Sequence, residues 1–300
     1  MLSAEIAVCS RRTVSRERGR DSFGDGFVAH YSASRSTGRA IDGVDFLPME
    51  REEYLRLFDL EDKLWWFLGM RRVSSTLLDR YLPPRQTERW ILDAGCGTGG
   101  MLETLRLYGQ TFGSDASPQA LRFASKRAVA PLVQADVCRL PFASESFDLV
   151  TSLDVIYHSC VSSDDEALLE MARVLRPGGF ILLRVPALKL FRGRHDVAVH
   201  TRHRYRRREL EEQLKQAGFA PEFVSYLNCI LLPLAILRRG VDRLLRPGHQ
   251  GSEVEPVAPW LNQALLRILM LEATWIRAGT LPFGLSLVAV ARKISVVSLG

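Results

Sequence analysis

Two stretches of this 300-residue chain concentrate side chains able to do chemistry. HDVAVHTRHRYRRREL, residues 195–210, holds three of the six histidines (His195, His200, His203) with Asp196, Arg204, Tyr205 and several further arginines. SLDVIYHS sets Tyr157 beside His158. The first stretch suits a metal site, a nucleic-acid patch, an acid/base cluster or a solvated loop. Metal ligands must converge, yet these histidines are spaced by five and by three with no cysteine or carboxylate set joining them, so no metal is expected. Nucleic-acid binding wants a basic face interleaved with stacking aromatics, and only Tyr205 stands among the arginines. The acid/base and loop readings stay open until the surrounding elements are placed.

Composition sets the outer bounds. With 47% hydrophobic and 25% charged residues, the chain supports one good-sized core plus an appendage. Its formal charge of +6 favours anionic partners, although such an excess is common in cytosolic enzymes. Cys9, Cys96, Cys138, Cys160 and Cys229 form no C-x-x-C pair, which argues against a zinc cluster or disulfide framework and for a reducing, cytoplasmic setting. No apolar run approaches the ~20 residues of a spanning helix, and no secretory h-region is present.

Residues 1–48 are rich in Arg, Ser and Gly without periodicity and are expected to form a disordered tail. Met49 directly precedes the first patterned segment and is the expected translation start, a targeting peptide being the alternative. From there EREEYLRLFDLEDKLWWFLGMRRVSSTLLDRYL predicts one or two amphipathic helices, which Pro83-Pro84 stop. Short apolar runs then alternate with helical patterns: WILDAG, MLETLRLYG, TFGSD, PQALRFASKRA, PLVQAD, FDLVTSLD, DDEALLEMARVLRPGG, FILLRVP. This rhythm predicts a doubly wound, mainly parallel sheet with crossover helices. RRRELEEQLKQAGF reads as a helix closed by Gly218, PEFVSYLN as a strand, residues 229–280 as an apolar helical insertion, and FGLSLVAVARK as a last strand.

WILDAGCGTGG is the most informative run. Asp93 ends a buried strand, and Gly95, Gly97 and Gly99 follow where the backbone must turn tightly and admit a ligand to main-chain N–H groups. No Walker lysine follows, and the G-x-G-x-G spacing differs from the dehydrogenase G-x-G-x-x-G. Asp115 closes the next strand, where an acid is placed to bind both hydroxyls of a ribose.

LDAGCGTGG, GSDASPQAL, ADVCRLPFASESFDLV and ARVLRPGGFILLRVP, in this order, resemble the class I S-adenosylmethionine-dependent methyltransferases, in their broad small-molecule (type 11-like) subgroup. That resemblance implies a seven-strand Rossmann-like sheet with an antiparallel last strand, and S-adenosyl-L-methionine as cofactor. It also implies residue roles: Asp93, Gly95, Gly97 and Gly99 for the methionine part, Asp115 for the ribose, and Ala116 against the adenine. Asp136 with the Val137 backbone would read the adenine edge, unless Asp136 is an ordinary strand-end cap, and Leu153 would give a main-chain contact to the amino group. EDKLWWFLGMRR resembles a segment that closes over the cofactor in part of the family. Residues 49–88 would then be a helical lid, with Trp65, Trp66 and Phe67 excluding water and Arg71 on the methionine carboxylate; the alternative is that the aromatics are a helix core face. Residues 89–300 would form the methyltransferase domain.

Methyl transfer from a sulfonium is an in-line displacement, so alignment supplies much of the acceleration and a base matters most for a hydroxyl acceptor. Acceptor groups are expected beyond the carboxyl ends of the strands. His158 is the first candidate for an acid/base or orienting group, with Tyr157 beside it; a helix-capping or cofactor contact is the alternative. His195, Asp196, Arg204 and Tyr205 would orient an acceptor or form a hydrogen-bonded corner. The insertion at 229–280 would shape an apolar acceptor pocket, touch a membrane peripherally, or simply pack. The expected function is methyl transfer to a small or lipid-like acceptor at oxygen. A nucleic-acid methyltransferase is the first rival, opposed by SLDVIYH standing where an N-P-P-Y tetrad would, and no nucleic acid is expected as partner. A non-catalytic cofactor-binding protein is the second.

Overall fold

A computed structural model describes residues 51–82, 88–187, 202–234, 236–237 and 257–295. The elements are α1 (Arg51–Leu60), α2 (Trp65–Tyr81), β1 (Trp90–Ala94), α3 (Leu102–Leu105), β2 (Gln110–Asp115), α4 (Pro118–Arg127), β3 (Leu132–Gln134), β4 (Phe147–Leu153), α5 (Asp164–Val174), β5 (Leu175–Pro186), α6 (Arg207–Gln216), β6 (Phe219–Leu227), α7 (Pro259–Ala278) and β7 (Ser286–Lys293). The strands form one seven-stranded sheet in the order β3-β2-β1-β4-β5-β7-β6. β7 runs antiparallel between β5 and β6, and the β1, β2, β3, β4 and β5 pairings are parallel. The alternating runs predicted this doubly wound sheet.

The two faces bury different helices. Leu92, Val150, Leu168, Met171, Tyr205 and Leu210 belong to one apolar cluster, beneath α5 and α6. Met70, Val73, Leu77, Leu182, Leu269 and Ile276 belong to the other, where α2 packs on α7. Gly69 lets these helices close up, because a Cβ there would lie 2.2 Å from Leu269 Cδ1. Apolar side chains on both faces explain why the central strands read as continuous hydrophobic runs.

Local chemistry sets the helix ends that frame the carboxyl edge of the sheet. Ser117 caps α4 by accepting from the Ala120 N–H at 3.2 Å, with Pro118 opening the helix. Ser163 does the same for α5 through the Glu166 N–H, and three acids fill that first turn, favourable at the positive end of a helix. Gly218, at φ +87°, closes α6 as expected.

Two boundaries differ from expectation. The segment predicted to be helical over MLETLRLYG is α-helical only at 102–105, because Leu107 and Tyr108 donate to carbonyls three residues back and tighten the chain before Gly109. α5 ends at Val174 rather than running into RPGG, since Pro177 drives Arg176 out of helical geometry and Gly178 takes a φ of +78°. The N-terminal pattern, expected as one or two helices, is two, broken at 61–64. Residues 1–48, expected as a tail, and 238–256 of the insertion lie outside the described residues.

Candidate cofactor and acceptor site

The strand β1 delivers Asp93 and the glycine loop to the carboxyl edge. Gly95, Gly97 and Gly99 hold φ values of +84°, +54° and +85°, in the left-handed region where side chains are strained. The Gly95 and Cys96 N–H groups both donate to the Ser114 carbonyl at 2.8 Å, stitching the loop to the end of β2. A Cβ at Gly95 would meet Val155 Cγ2 at 2.3 Å, whereas one at Gly97 would meet nothing within 4 Å. Gly95 is thus a packing glycine, and Gly97 borders open space. Burial pushes the Cys96 thiol far up, which makes it a poor nucleophile.

Two acids stand on either side of this loop. Asp93 is buried, and its Oδ1 accepts from Thr151 Oγ1 at 2.6 Å. Burial, helped by the charges of Asp115 and Glu61, raises its carboxyl to about 7 against the pull of the Thr151 bond. Asp115 accepts from the Gly97 N–H at 2.9 Å through Oδ2 and from the Ser117 N–H at 2.8 Å through Oδ1. Burial raises it too, and those backbone donors oppose the rise. Each Asp115 oxygen keeps a lone pair, so the carboxylate is fixed in place yet can still accept.

Other candidates are placed less centrally. Ala116 is exposed, its carbonyl accepting from Gln134 Nε2 at 3.1 Å. Asp136 accepts the Cys138 N–H at 2.9 Å and its carbonyl accepts from Arg139, the bonding of a turn cap, while Val137 is buried behind it. Leu153 ends β4, and Asp154 follows with a φ of +62° and a carboxylate gripped by Arg184 at 2.7 Å.

The chain then folds through Tyr157 and His158. His158 donates its N–H to the Val155 carbonyl and receives the Cys160 N–H on Nδ1 at 3.5 Å. The Tyr157 carbonyl accepts from the Arg202 N–H at 2.9 Å, which brings the described end of the histidine stretch alongside. Tyr205 is fully buried, donates its hydroxyl to Asp164 and its N–H to the Pro186 carbonyl, and lies 4.4 Å from the His203 ring. Burial raises its phenol, so it stays a donor. Arg202 bonds the other Asp164 oxygen, and Arg204 donates to the Ala187 carbonyl at 2.9 Å. His195, Asp196 and His200 lie outside the described residues. Among the described residues no cluster of His, Cys, Asp and Glu has the makings of a metal site.

Comparison with known proteins bears directly on this edge. Residues 92–183 match the family described as Methyltransferase domain. Over those residues the chain carries a match to a methyltransferase domain. Over 113 residues it is 42% identical to a malonyl-[acyl-carrier protein] O-methyltransferase of Enterobacter lignolyticus, covering 37% of this chain and 43% of the relative. Over 98 residues it is 38% identical to a tRNA (carboxymethyluridine(34)-5-O)-methyltransferase of Arabidopsis thaliana, covering 32% and 23%. The chain spans about half the length of the first curated relatives it matches. The fold is similar to the structure of the Haloferax volcanii Trm112 methyltransferase activator in complex with a methyltransferase, with a TM-score of 0.55 and 20% identity over 83% of this chain and 100% of that one.

The N-terminal helices lie against the glycine loop through residues that no motif announced. Arg127 of α4 donates to Glu61 at 2.9 Å, to Asp62 at 2.7 Å and to the Thr98 carbonyl at 2.9 Å. A Cβ on Gly100 would sit 2.6 Å from the Glu61 carboxyl, so the loop passes directly under that acid. Tyr54 is raised by burial, with Ser117 hydrogen bonding opposing and the Asp115 charge adding, which places it beside the ribose candidate. Phe58 meets Phe123 at 5.6 Å, with Arg127 over its ring at 4.8 Å. Arg71 is held by the Asp62 carboxylate at 2.9 Å and by the Glu61 carbonyl. Trp66 packs with Trp65, edge to face at 5.8 Å, against the core that α2 shares with α7. The sequence did not announce this network, because Arg127 stands more than sixty residues from Glu61 and Asp62.

Proposed function

We propose that this domain binds S-adenosylmethionine over the carboxyl ends of β1, β2 and β4 and transfers its methyl group to a small or lipid-like acceptor at oxygen. The observation that carries this reading is the pair Asp93 and Asp115 bracketing a loop of positive-φ glycines, with open space at Gly97. Such a cradle fits a ligand with a cationic amino group at one end and a ribose diol at the other. Asp93 would hold the amino group, the spare lone pairs of Asp115 the hydroxyls, and the loop's backbone would lie along the methionine part. The Asp136 turn and Val137 would border the adenine, with Ala116 against its face and Leu153 contributing main chain.

When bound, the cofactor supplies an electrophilic methyl group on a sulfonium; the chain's task is alignment and exclusion of water. The helices α1 and α2 would act as the lid, latched by Arg127 on Glu61 and Asp62, with Tyr54 over the ribose. Arg71, already tied to Asp62, would secure that latch or turn to the methionine carboxylate. Tyr157 and His158 follow β4 and are the groups proposed to orient the acceptor, His158 taking a hydroxyl proton where one must leave. His195 and Asp196 are proposed to help orient the same acceptor. Tyr205 and Arg204 would serve by anchoring the chain after β5 through Asp164 and the Pro186 and Ala187 carbonyls.

The name of the malonyl-[acyl-carrier protein] relative supports oxygen as the methylated atom, and that of the Arabidopsis relative supports tRNA as a second acceptor class. Calorimetry with S-adenosylhomocysteine tests the first step: wild type binds and Asp115→Asn binds at least tenfold more weakly, while failure of wild type to bind refutes the reading. Incubation with methyl-labelled cofactor and a fractionated extract tests the second. Label in a small organic-soluble product supports the proposal, label in RNA transfers it to the nucleic-acid reading, and binding without any labelled product points to a cofactor-binding protein.

A further inference from the structure

The helix α7 has two apolar faces, and the fold uses one. Leu265, Leu269, Ala273 and Ile276 point inward against α2 and the sheet. On the opposite side Trp260 is 73% exposed, Leu271 65% and Trp275 62%, with Met270 between them. Large apolar side chains scattered singly on a surface need no explanation, but these fall along one face of one helix about 30 Å long.

The charges on that face all have one sign. Arg267 is exposed there and Arg277 is exposed on the flank at the helix end, whereas the helix's one acid, Glu272, is fully buried and accepts from the Asn228 and Cys229 N–H groups, the latter at 3.0 Å. Those bonds also fix the start of the neighbouring segment, on which Ile230, Leu234, Ile236 and Leu237 are exposed as well. A second copy of this chain seated on the face would bring arginine toward arginine, with no exposed acid of α7 to receive either. An anionic lipid surface satisfies both features, taking the tryptophans at headgroup depth and the arginines against phosphate. No helix among the described residues is long and apolar enough to cross a membrane, so the contact would lie along the surface.

We propose that the outer face of α7 docks this protein on an anionic membrane, with Trp260, Leu271 and Trp275 inserted and Arg267 and Arg277 paired to lipid phosphate. The inference stands apart from the identity of the methyl acceptor.

Flotation of the full chain with phosphatidylcholine vesicles, with and without about one phosphatidylglycerol in three lipids, tests it. The wild type is expected to float with the anionic vesicles and not with phosphatidylcholine alone. Trp260→Ala with Leu271→Ser and Trp275→Ala should reduce the bound fraction at least tenfold, with an unchanged circular dichroism spectrum. Arg267→Gln and Arg277→Gln should each weaken binding about fivefold, the effect of one basic residue near such a surface. A wild type that stays unbound on anionic vesicles overturns the proposal. So does sedimentation showing a dimer that the apolar triple variant converts to monomer without any vesicle binding by wild type, which would assign the face to self-association.

Discussion

Glu61 and Arg127 meet at 2.9 Å directly above the glycine loop, their side chains 14% and 12% exposed. Burial raises the Glu61 carboxyl, and Arg127 and Arg71 are the charges that oppose this. Removing one partner of so sheltered a pair costs more than removing both. Arg127→Met should therefore lower stability by about 2 kcal/mol in urea titrations, and Glu61→Gln with Arg127→Met should recover part of that loss. Both variants should weaken S-adenosylhomocysteine binding, since either one unlatches α1 from the Thr98 carbonyl side of the loop.

The loop glycines should separate by mechanism. Gly95→Ala must place a methyl against Val155 at 2.3 Å and adopt a φ of +84°, so it should lower stability by about 2 to 3 kcal/mol. Gly97→Ala meets open space, so its stability should fall by only about 1 kcal/mol, from backbone strain. Its methyl group would nevertheless occupy the cradle, and cofactor affinity should drop at least tenfold. Paired denaturation and calorimetry check both; equal stability losses would contradict the distinction.

The contrast between these glycines and the Arg127 network marks what sequence could reveal. Asp93, the glycines and Asp115 sit within single strand-turn units, where chain direction and turn chemistry fix position, so their placement could be read from local pattern. The parallel sheet was legible for the same reason: α3 and α4 separate β1, β2 and β3, and α5 separates β4 from β5, connections that suit parallel strands. Glu61, Asp62 and Arg127 belong to different elements, and nothing local says that the α1–α2 break lands on α4. Trp65 and Trp66 illustrate the converse, because their composition suited either a lid or a core face. The edge-to-face pair against the α2–α7 core could be seen only once α7, nearly two hundred residues on, was in place.

Tyr205 gives a prediction about the opening stretch of histidines and arginines. Its hydroxyl and the Arg202 guanidinium hold the two oxygens of Asp164, a nearly buried acid at the start of α5. Tyr205→Phe should lower stability by about 1 to 2 kcal/mol through the lost bond to a charged group. Affinity for S-adenosylhomocysteine should be unchanged, since no described contact links Tyr205 to the glycine loop. A full loss of methyl transfer at wild-type stability would instead make Tyr205 an acceptor-contacting group.

Asp93 should make both stability and cofactor affinity depend on pH. Its folded-state carboxyl is raised to about 7 from 3.8, so between those values the folded protein holds a proton that the unfolded chain has released. Stability from this group is therefore highest below pH ~4, falls as pH rises, and levels off above pH ~7. Asp93→Asn should flatten that slope and be the more stable protein at pH 8. Binding should run the other way, because a cationic amino group favours the ionised carboxylate. S-adenosylhomocysteine affinity should fall by up to tenfold per unit below pH ~7, with a proton released on binding near pH 6.5. Calorimetry in buffers of different ionisation enthalpy measures that proton directly. Wild type that binds without releasing it, or Asp93→Asn that binds equally well at all pH values, would remove Asp93 from the amino-group site.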